Sequence, residues 1–322
     1  MFNYPETQQK YQTFFRNHTD LYDGYRSAAQ VALAYLFDQT YFLNIEHFRQ
    51  VHALSRYLAD QQIPFDIVIE DDLVPGGLDR YRAVILPNTV FLEDRELAAV
   101  EAFVRSGGTL VLIGEVGTYD RYCRERDKVE LAERFKNTKG RVIRFNSISE
   151  VLPHPGLFLE PALQTAESFE LMGEKSAGKY VNLAAMDNKL WFKRYQDAGP
   201  LTPIIAEALG RNPRLLDPWD ASGVRNTVYV RKINKGEQMV IHLVNKNVPL
   251  AVPLEERELK PVRNLKIHAP LPLGSRVSTV RCFEVGEKER VLSWDAEPAG
   301  GITIPLDLLN AYAVISIEYQ PG

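Results

Sequence analysis

YRAVILPNTVFLEDRELAAVEAFVRSGGTLVLIGEVGTYD, residues 81–120, encodes a strand, a helix and a second strand in that order. Tyr81 to Leu86 (YRAVIL) is short, rich in aliphatic and β-branched side chains, and closed by Pro87, which is the composition and punctuation of a strand. From Asp94 to Arg105, Leu97, Val100 and Val104 fall on one helical stripe, and Gly107 stands where a left-handed C-cap belongs. Thr109 to Ile113 (TLVLI) opens the second strand, with Gly114 and Gly117 in the turn that leaves it. A strand, an amphipathic helix and a strand joined this closely make a parallel pair with a right-handed crossover.

The same alternation extends on both sides. Ala28 to Phe37 (AAQVALAYLF) is a nearly continuous apolar run of strand length, suited to a strand covered on both faces. Asn44 is a good N-cap for the helix that follows to Gln61, in which Ile45, Phe48, Val51, Leu54 and Leu58 recur at helical spacing. Phe65 to Glu70 (FDIVIE) reads as another strand and Arg141 to Phe145 (RVIRF) as a fifth. The fold class predicted is α/β, a flavodoxin-like doubly wound parallel sheet with helices on both faces. From Ser147 to Ser222 the pattern loosens around prolines 153, 155 and 161, with one clear helix at Leu201 to Leu209, so residues 1–222 are assigned to the α/β domain and its connector.

After Gly223 the period changes to two. Thr227 to Ile233 (TVYVRKI) and Gln238 to Val244 (QMVIHLV) flank an Asn- and Gly-containing turn and read as a β-hairpin. Further strand-like runs lie at Asn264 to His268, Arg276 to Phe283, Arg290 to Trp294, Gly301 to Ile304 and Ala311 to Tyr319. This many short strands with no helical stripe among them predict an antiparallel β-sandwich over residues 223–322.

Composition narrows the function. A net charge of -4, from 38 basic and 42 acidic residues, lacks the positive field of a nucleic-acid binder. No apolar run approaches the roughly 20 residues that span a bilayer, and the N-terminus has no signal-like apolar core, so the expectation is a soluble, cytoplasmic chain with no membrane partner. Two cysteines, Cys123 and Cys282, are too few for a disulfide framework or a thiolate zinc site. The six histidines form no HExxH or comparable spacing; His47 and His52 lie five apart on one helix and so on different faces. With no GxGxxG after the first strand and no GKS or GKT loop, neither a metal nor a nucleotide cofactor is expected.

Ligands of open α/β sheets collect at the carboxyl ends of the strands. Those positions hold Glu70, Asp71 and Asp72; Pro87 and Asn88; Gly114, Glu115 and Gly117; and Asn146. Glu115 occupies the sharp turn where related folds carry a Cys or Ser nucleophile, and a carboxylate there removes ordinary acyl chemistry. Asp71 and Glu115 are candidate acid and base groups and Asn88 a candidate polar contact; the plainer reading of Glu70-Asp71-Asp72 is a solvated turn or helix cap. Glycosidase chemistry needs two carboxylates facing each other across roughly 5 to 9 Å, a separation that sequence does not fix.

The block Tyr81 to Asp120 resembles the glutamine amidotransferase-like domain behind the catalytic barrel of family 42 β-galactosidases, called the trimerisation domain in that family. The likeness rests on the strand ending in Pro87, the helix opening near Asp94, the Val104-Arg105-Ser106-Gly107-Gly108 link, and the strand Thr109 to Ile113 with Gly114 and Gly117 beyond. Tyr11 to Tyr22 is similar to the helix that leaves the barrel in such enzymes. The tail is similar to their closing β domain through Val240-Ile241-His242-Leu243-Val244-Asn245, Ile304-Pro305 and Tyr312 to Ile317. The resemblance implies a class I amidotransferase-like fold without the amidotransferase Cys. It also implies a glycosidase context in which the two catalytic carboxylates lie in an N-terminal barrel, so no catalytic residue carries over.

The expectation is a non-catalytic accessory and oligomerisation region of a β-galactosidase-like glycoside hydrolase, its partner a catalytic barrel or a sister subunit in a homo-oligomer. Two alternatives stand beside it. One is a free-standing hydrolase in which Glu115, Asp71 and Asn88 converge on a substrate; the other is a carbohydrate-binding or sensor module with Trp191, Trp219 and Trp294 as a stacking platform.

Overall fold

The computed structural model describes residues 5–127, 134–135, 138–152, 199–218, 223–247, 258–298 and 300–322. Two compact units divide the chain: one takes Gln30–Gln61 and Phe65–Pro213, the other Met1–Ala29, Gln62–Pro64 and Arg214–Gly322.

Strand β1 (Arg26–Ser27) precedes the α/β unit, which begins with strand β2 (Val31–Ala34), helix α2 (Asp38–Tyr41) and helix α3 (Ile45–Asp60). Strands β3 (Asp66–Val68) and β4 (Ala83–Pro87), helix α4 (Asp94–Arg105), and strands β5 (Thr109–Ile113) and β6 (Arg141–Phe145) follow. The sheet runs β3-β2-β4-β5-β6 with every pair parallel. In order along the chain that is 2-1-3-4-5, the flavodoxin-like arrangement, with its switch point between β2 and β4. All residues of β2, β4 and β5 are buried, as two covered faces require. Helix α5 (Leu201–Leu209) ends at Gly210, whose φ of 65° is left-handed, and the Tyr57 hydroxyl of α3 meets Thr202 Oγ1 of α5 at 2.6 Å.

Two sequence expectations change here. The apolar run Ala28 to Phe37 supplies a strand of only four residues, because the Ala28 N–H already bonds the carbonyl of Val228 and β1 pairs with another sheet. The stripe of α3 is buried at Val51, Leu54 and Leu58, whereas Ile45 is 59% exposed and Phe48 47%.

The second unit is a β-sandwich. Strand β7 is Leu216–Asp217, and strands β8 (Val224–Ile233) and β9 (Gly236–Asn245) form a hairpin that closes tightly, Ile233 opposite Gly236. Strands β10 (Val262–Ala269), β11 (Arg276–Glu284), β12 (Arg290–Val291), β13 (Asp295–Ala296), β14 (Ile302–Leu309) and β15 (Tyr312–Gln320) complete it. One sheet runs β1-β8-β9-β15-β11-β12 and the other β13-β14-β10-β7. Alternate residues turn inward: Met239, Ile241 and Leu243 of β9 and Ala313, Ile315 and Ile317 of β15 share a core with Leu265, Ile267, Ile304 and Leu306 of the smaller sheet. The outer face of the larger sheet is also covered: Phe14 of helix α1 (Pro5–Asn17) and Leu21 pack on Val240, Phe283 and Val314.

Residues 1–29 therefore group with the β-sandwich, not with the α/β domain to which a single boundary at residue 222 would assign them. Pairing explains this: Arg26 lies opposite Val230, Ser27 opposite Tyr229, and β7 joins β10. Gln62 belongs with them, accepting from the Leu215 N–H at 2.8 Å and giving its side-chain amide to the Val224 carbonyl at 3.0 Å. Of the expected strand Arg290 to Trp294 only Arg290–Val291 pairs as β12, β13 starting beyond it at Asp295, and β14 runs farther than Gly301 to Ile304.

Candidate functional site

At the switch point of the parallel sheet, His47 of α3 spans the two central strands. Its Nε2 accepts the Leu36 N–H at 3.0 Å, which places the proton on Nδ1, and Nδ1 donates to the Pro87 carbonyl at 2.7 Å. The ring is fully buried, and desolvation pulls its pKa down to about 4, so it is neutral at pH 7. His52, five residues on, is exposed, in keeping with the two faces that the spacing implies.

Around His47 lies a network of carboxamides. The Asn44 side chain caps α3, its Oδ1 accepting the His47 N–H at 3.3 Å, while its Nδ2 donates to the Asn88 carbonyl at 2.8 Å and to Gln39 Oε1 at 2.9 Å. Asn88 returns its own Nδ2 to Asn44 Oδ1 at 3.0 Å. Gln39 is buried, accepts the Phe91 N–H and donates to the Phe91 carbonyl. At the strand ends, the carboxamides of Asn44, Asn88 and Gln39 thus satisfy one another.

The candidate residues take separate roles. Asn88 belongs to the carboxamide network. Glu115 is exposed, and what ties it to the network is its backbone N–H, donated to Asn88 Oδ1 at 3.3 Å. Asp71 sits exposed in a 3-10 turn, Glu70–Asp72, whose flanking carboxylates are caps: Glu70 accepts the Asp38 N–H at 2.8 Å and Asp72 the Ile69 N–H at 3.0 Å. Cys123 is exposed in the loop after β5. Among the described residues no group of three or more His, Cys, Asp or Glu side chains is placed to hold a metal ion, and no helix is long and apolar enough to cross a membrane. Trp294 is 38% exposed; Trp191 and Trp219 lie outside the described residues.

One surface was not foreseen. Phe37, Tyr41, Leu43, Ile45 and Phe48 are all exposed, Tyr41 and Leu43 by more than 80%. They follow one another through β2's exit, α2 and the start of α3, and the Tyr35 ring lies 4.9 Å from Phe37 and 6.1 Å from Phe48. Large apolar groups gathered in one surface segment mark a contact site. Helical spacing identified Ile45 and Phe48 as apolar, but not that they stand exposed.

The chain combines a flavodoxin-like parallel α/β unit with an antiparallel β-sandwich. Residues 29–135 match the family model of the beta-galactosidase trimerisation domain, and this stretch is a domain of that kind. No curated protein matches the sequence. Among solved structures the chain is similar to alpha-L-fucosidase isoenzyme 2 from Paenibacillus thiaminolyticus, with 13% identity, a TM-score of 0.54, and coverage of 95% of this chain and 51% of that one. It is also similar to the beta-galactosidase from Bacillus circulans sp. alkalophilus, with 14% identity, a TM-score of 0.51, and coverage of 97% and 44%. At these identities the likeness is one of fold. The chain spans about half the length of the solved structures that it matches.

Proposed function

We propose that this chain is the accessory and oligomerisation region of a β-galactosidase-like glycoside hydrolase, and that the bond-breaking carboxylates belong to a barrel that the described residues do not contain. The observation that carries the reading is the exposed segment Phe37, Tyr41, Leu43, Ile45 and Phe48, within the stretch that matches a trimerisation domain. A specific interface buries roughly 1,200 to 2,000 Å² in total, and a run of aromatic and aliphatic side chains supplies its core. The partner is a sister subunit, with a catalytic barrel as the other contact. The switch-point network supports a role without chemistry, because among the described residues no ionised side chain hydrogen-bonds to His47, Asn44 or Asn88. Two free cysteines, Cys123 and Cys282, support a reducing, cytoplasmic setting.

Sedimentation velocity tests this. The chain sediments as an oligomer, trimeric by the family match, and Tyr41→Glu with Phe48→Glu shifts it to monomer while circular dichroism is unchanged. A wild-type monomer removes the oligomerisation reading. Turnover of an aryl β-galactoside by the purified chain, abolished by Glu115→Gln, removes the non-catalytic one.

A further inference from the structure

On the outer face of the larger sheet, beside α1, lies a cavity of about 420 Å³. Its walls are aromatic: Tyr22 and Tyr25 from the segment after α1, Tyr229 of β8, His242 of β9 and Tyr312 of β15, with Thr227 of β8 at the rim and buried Leu21 behind. The register assembles them, since Thr227 is paired directly with His242, and inward residues Val228, Ile241 and Ala313 leave Thr227, Tyr229, His242 and Tyr312 on the outer side. The His242 ring is 5.3 Å from Tyr22, edge-on to Tyr229 at 5.7 Å and stacked on Tyr312 at 6.1 Å.

Helix α1 and Leu21 cover part of this outer face, and Tyr22, Tyr25, Tyr229 and Tyr312 pack against that cover. Here the lining side chains are neutral. Burial pulls the His242 pKa down to about 4 and pushes Tyr25 up to about 12, with Tyr22 and Tyr312 also raised, so none of these four is ionised near pH 7. Some of their hydrogen-bonding capacity is satisfied internally: His242 Nδ1 and the Tyr312 hydroxyl are 2.7 Å apart, the Tyr312 and Tyr22 hydroxyls 3.0 Å, and the Tyr25 hydroxyl donates to Gln238 Oε1 at 2.9 Å. The nearby Arg231 stacks on Tyr25 and donates to Gln238 Oε1 and the Asp23 carbonyl. Three neutral groups are left over: His242 Nε2 and the hydroxyls of Tyr229 and Thr227 have no hydrogen-bond partner among the described residues.

We propose that this cavity is a binding subsite for a neutral pyranose sugar, stacked on its aromatic walls and hydrogen-bonded by Thr227, Tyr229 and His242. A sugar ring has an apolar C–H face that suits an aromatic wall and a rim of hydroxyls that both donate and accept, the complement of what the cavity leaves unpaired. The volume lies within the range of small-molecule sites. A phosphorylated or carboxylated ligand would bring a charge with no counter-charge among the lining groups, at a desolvation cost. The site is separate from the apolar segment on the α/β unit, so this inference does not depend on the oligomerisation reading.

The test is titration calorimetry of the whole chain with D-galactose, D-glucose and lactose, using glucose 6-phosphate as the charged comparison. At least one neutral sugar binds with a dissociation constant in the millimolar range. Tyr229→Leu weakens it roughly tenfold or more by removing a ring wall, and Thr227→Val weakens it by a smaller factor, both with an unchanged urea midpoint. No heat from any of the three sugars overturns the proposal. So does binding that both variants leave intact, and so does glucose 6-phosphate binding as tightly as the neutral sugars.

Discussion

Asn88 holds its carboxamide where a side chain on Gly114 would begin: a β-carbon added at Gly114 would lie 2.7 Å from Asn88 Oδ1. Both residues are left-handed, Asn88 at φ 41° and Gly114 at φ 71°, and the Asn88 N–H bonds the Ile113 carbonyl. The ends of β4 and β5 are locked together by this pair, because the same Oδ1 also accepts the Glu115 N–H.

Gly114→Ala should therefore destabilise the α/β unit by about 2 kcal/mol or more, combining the left-handed penalty with the clash. Asn88→Gly removes the clashing atoms but not the φ penalty. In a urea-denaturation cycle the double variant should be more stable than the sum of the singles predicts, a coupling confined to residues in contact. Strict additivity would show that the carboxamide does not fill that space.

His47 makes stability depend on pH. Its folded pKa of about 4 lies below the ordinary 6.5, so between those values the unfolded chain binds a proton that the folded chain refuses. The unfolded state then holds more protons, and stability falls as pH drops from 6.5 towards 4. Glu96 acts in the opposite sense: burial pushes its pKa up to about 7, so its contribution is lost as pH rises through that value. Comparing wild type with His47→Phe isolates the histidine. The variant should lose about 2 to 4 kcal/mol at pH 7, since the Leu36 N–H and Pro87 carbonyl are left unpaired, and that deficit should shrink as pH approaches 4. A deficit that is constant from pH 7 to 4 would show that His47 titrates normally.

The legible parts of this molecule are those governed by local periodicity. Thr109 to Ile113 and Ala83 to Pro87 announce themselves as covered strands, Leu97, Val100 and Val104 as a buried helical stripe, and the hairpin of β8 and β9 as an alternation of two. Long-range pairing was not legible. Arg26 meets Val230 across the whole α/β unit in sequence, and nothing in the first 29 residues announces that partner. The surroundings of the candidate residues were not legible for the same reason: strand-end spacing put Glu115 in a nucleophile's slot, while the Asn44 to Asn88 bonds beside it join residues 44 apart. Alternation at Thr227 and Tyr229 did hold a signal, since an outward strand face carrying a tyrosine calls for a cover or a ligand.

The two cysteines should separate cleanly by reactivity. Cys282 is 1% exposed within the sandwich, and desolvation first, then the Glu284 charge, pushes its pKa up to about 11; Arg290 donates to its sulfur at 3.8 Å. Little thiolate forms there near neutral pH, and a reagent cannot reach what does form. Cys123 is exposed in a loop at φ 58°. Iodoacetamide on the native protein should therefore add one group, located at Cys123 by peptide mass and absent in Cys123→Ser, with the second added only in denaturant. Because alkylation of Cys282 requires the sandwich to open, its rate in sub-denaturing urea reports the opening free energy of the β unit alone. Equal native labelling of both thiols would contradict the burial of Cys282, which on β11 belongs to the sandwich core.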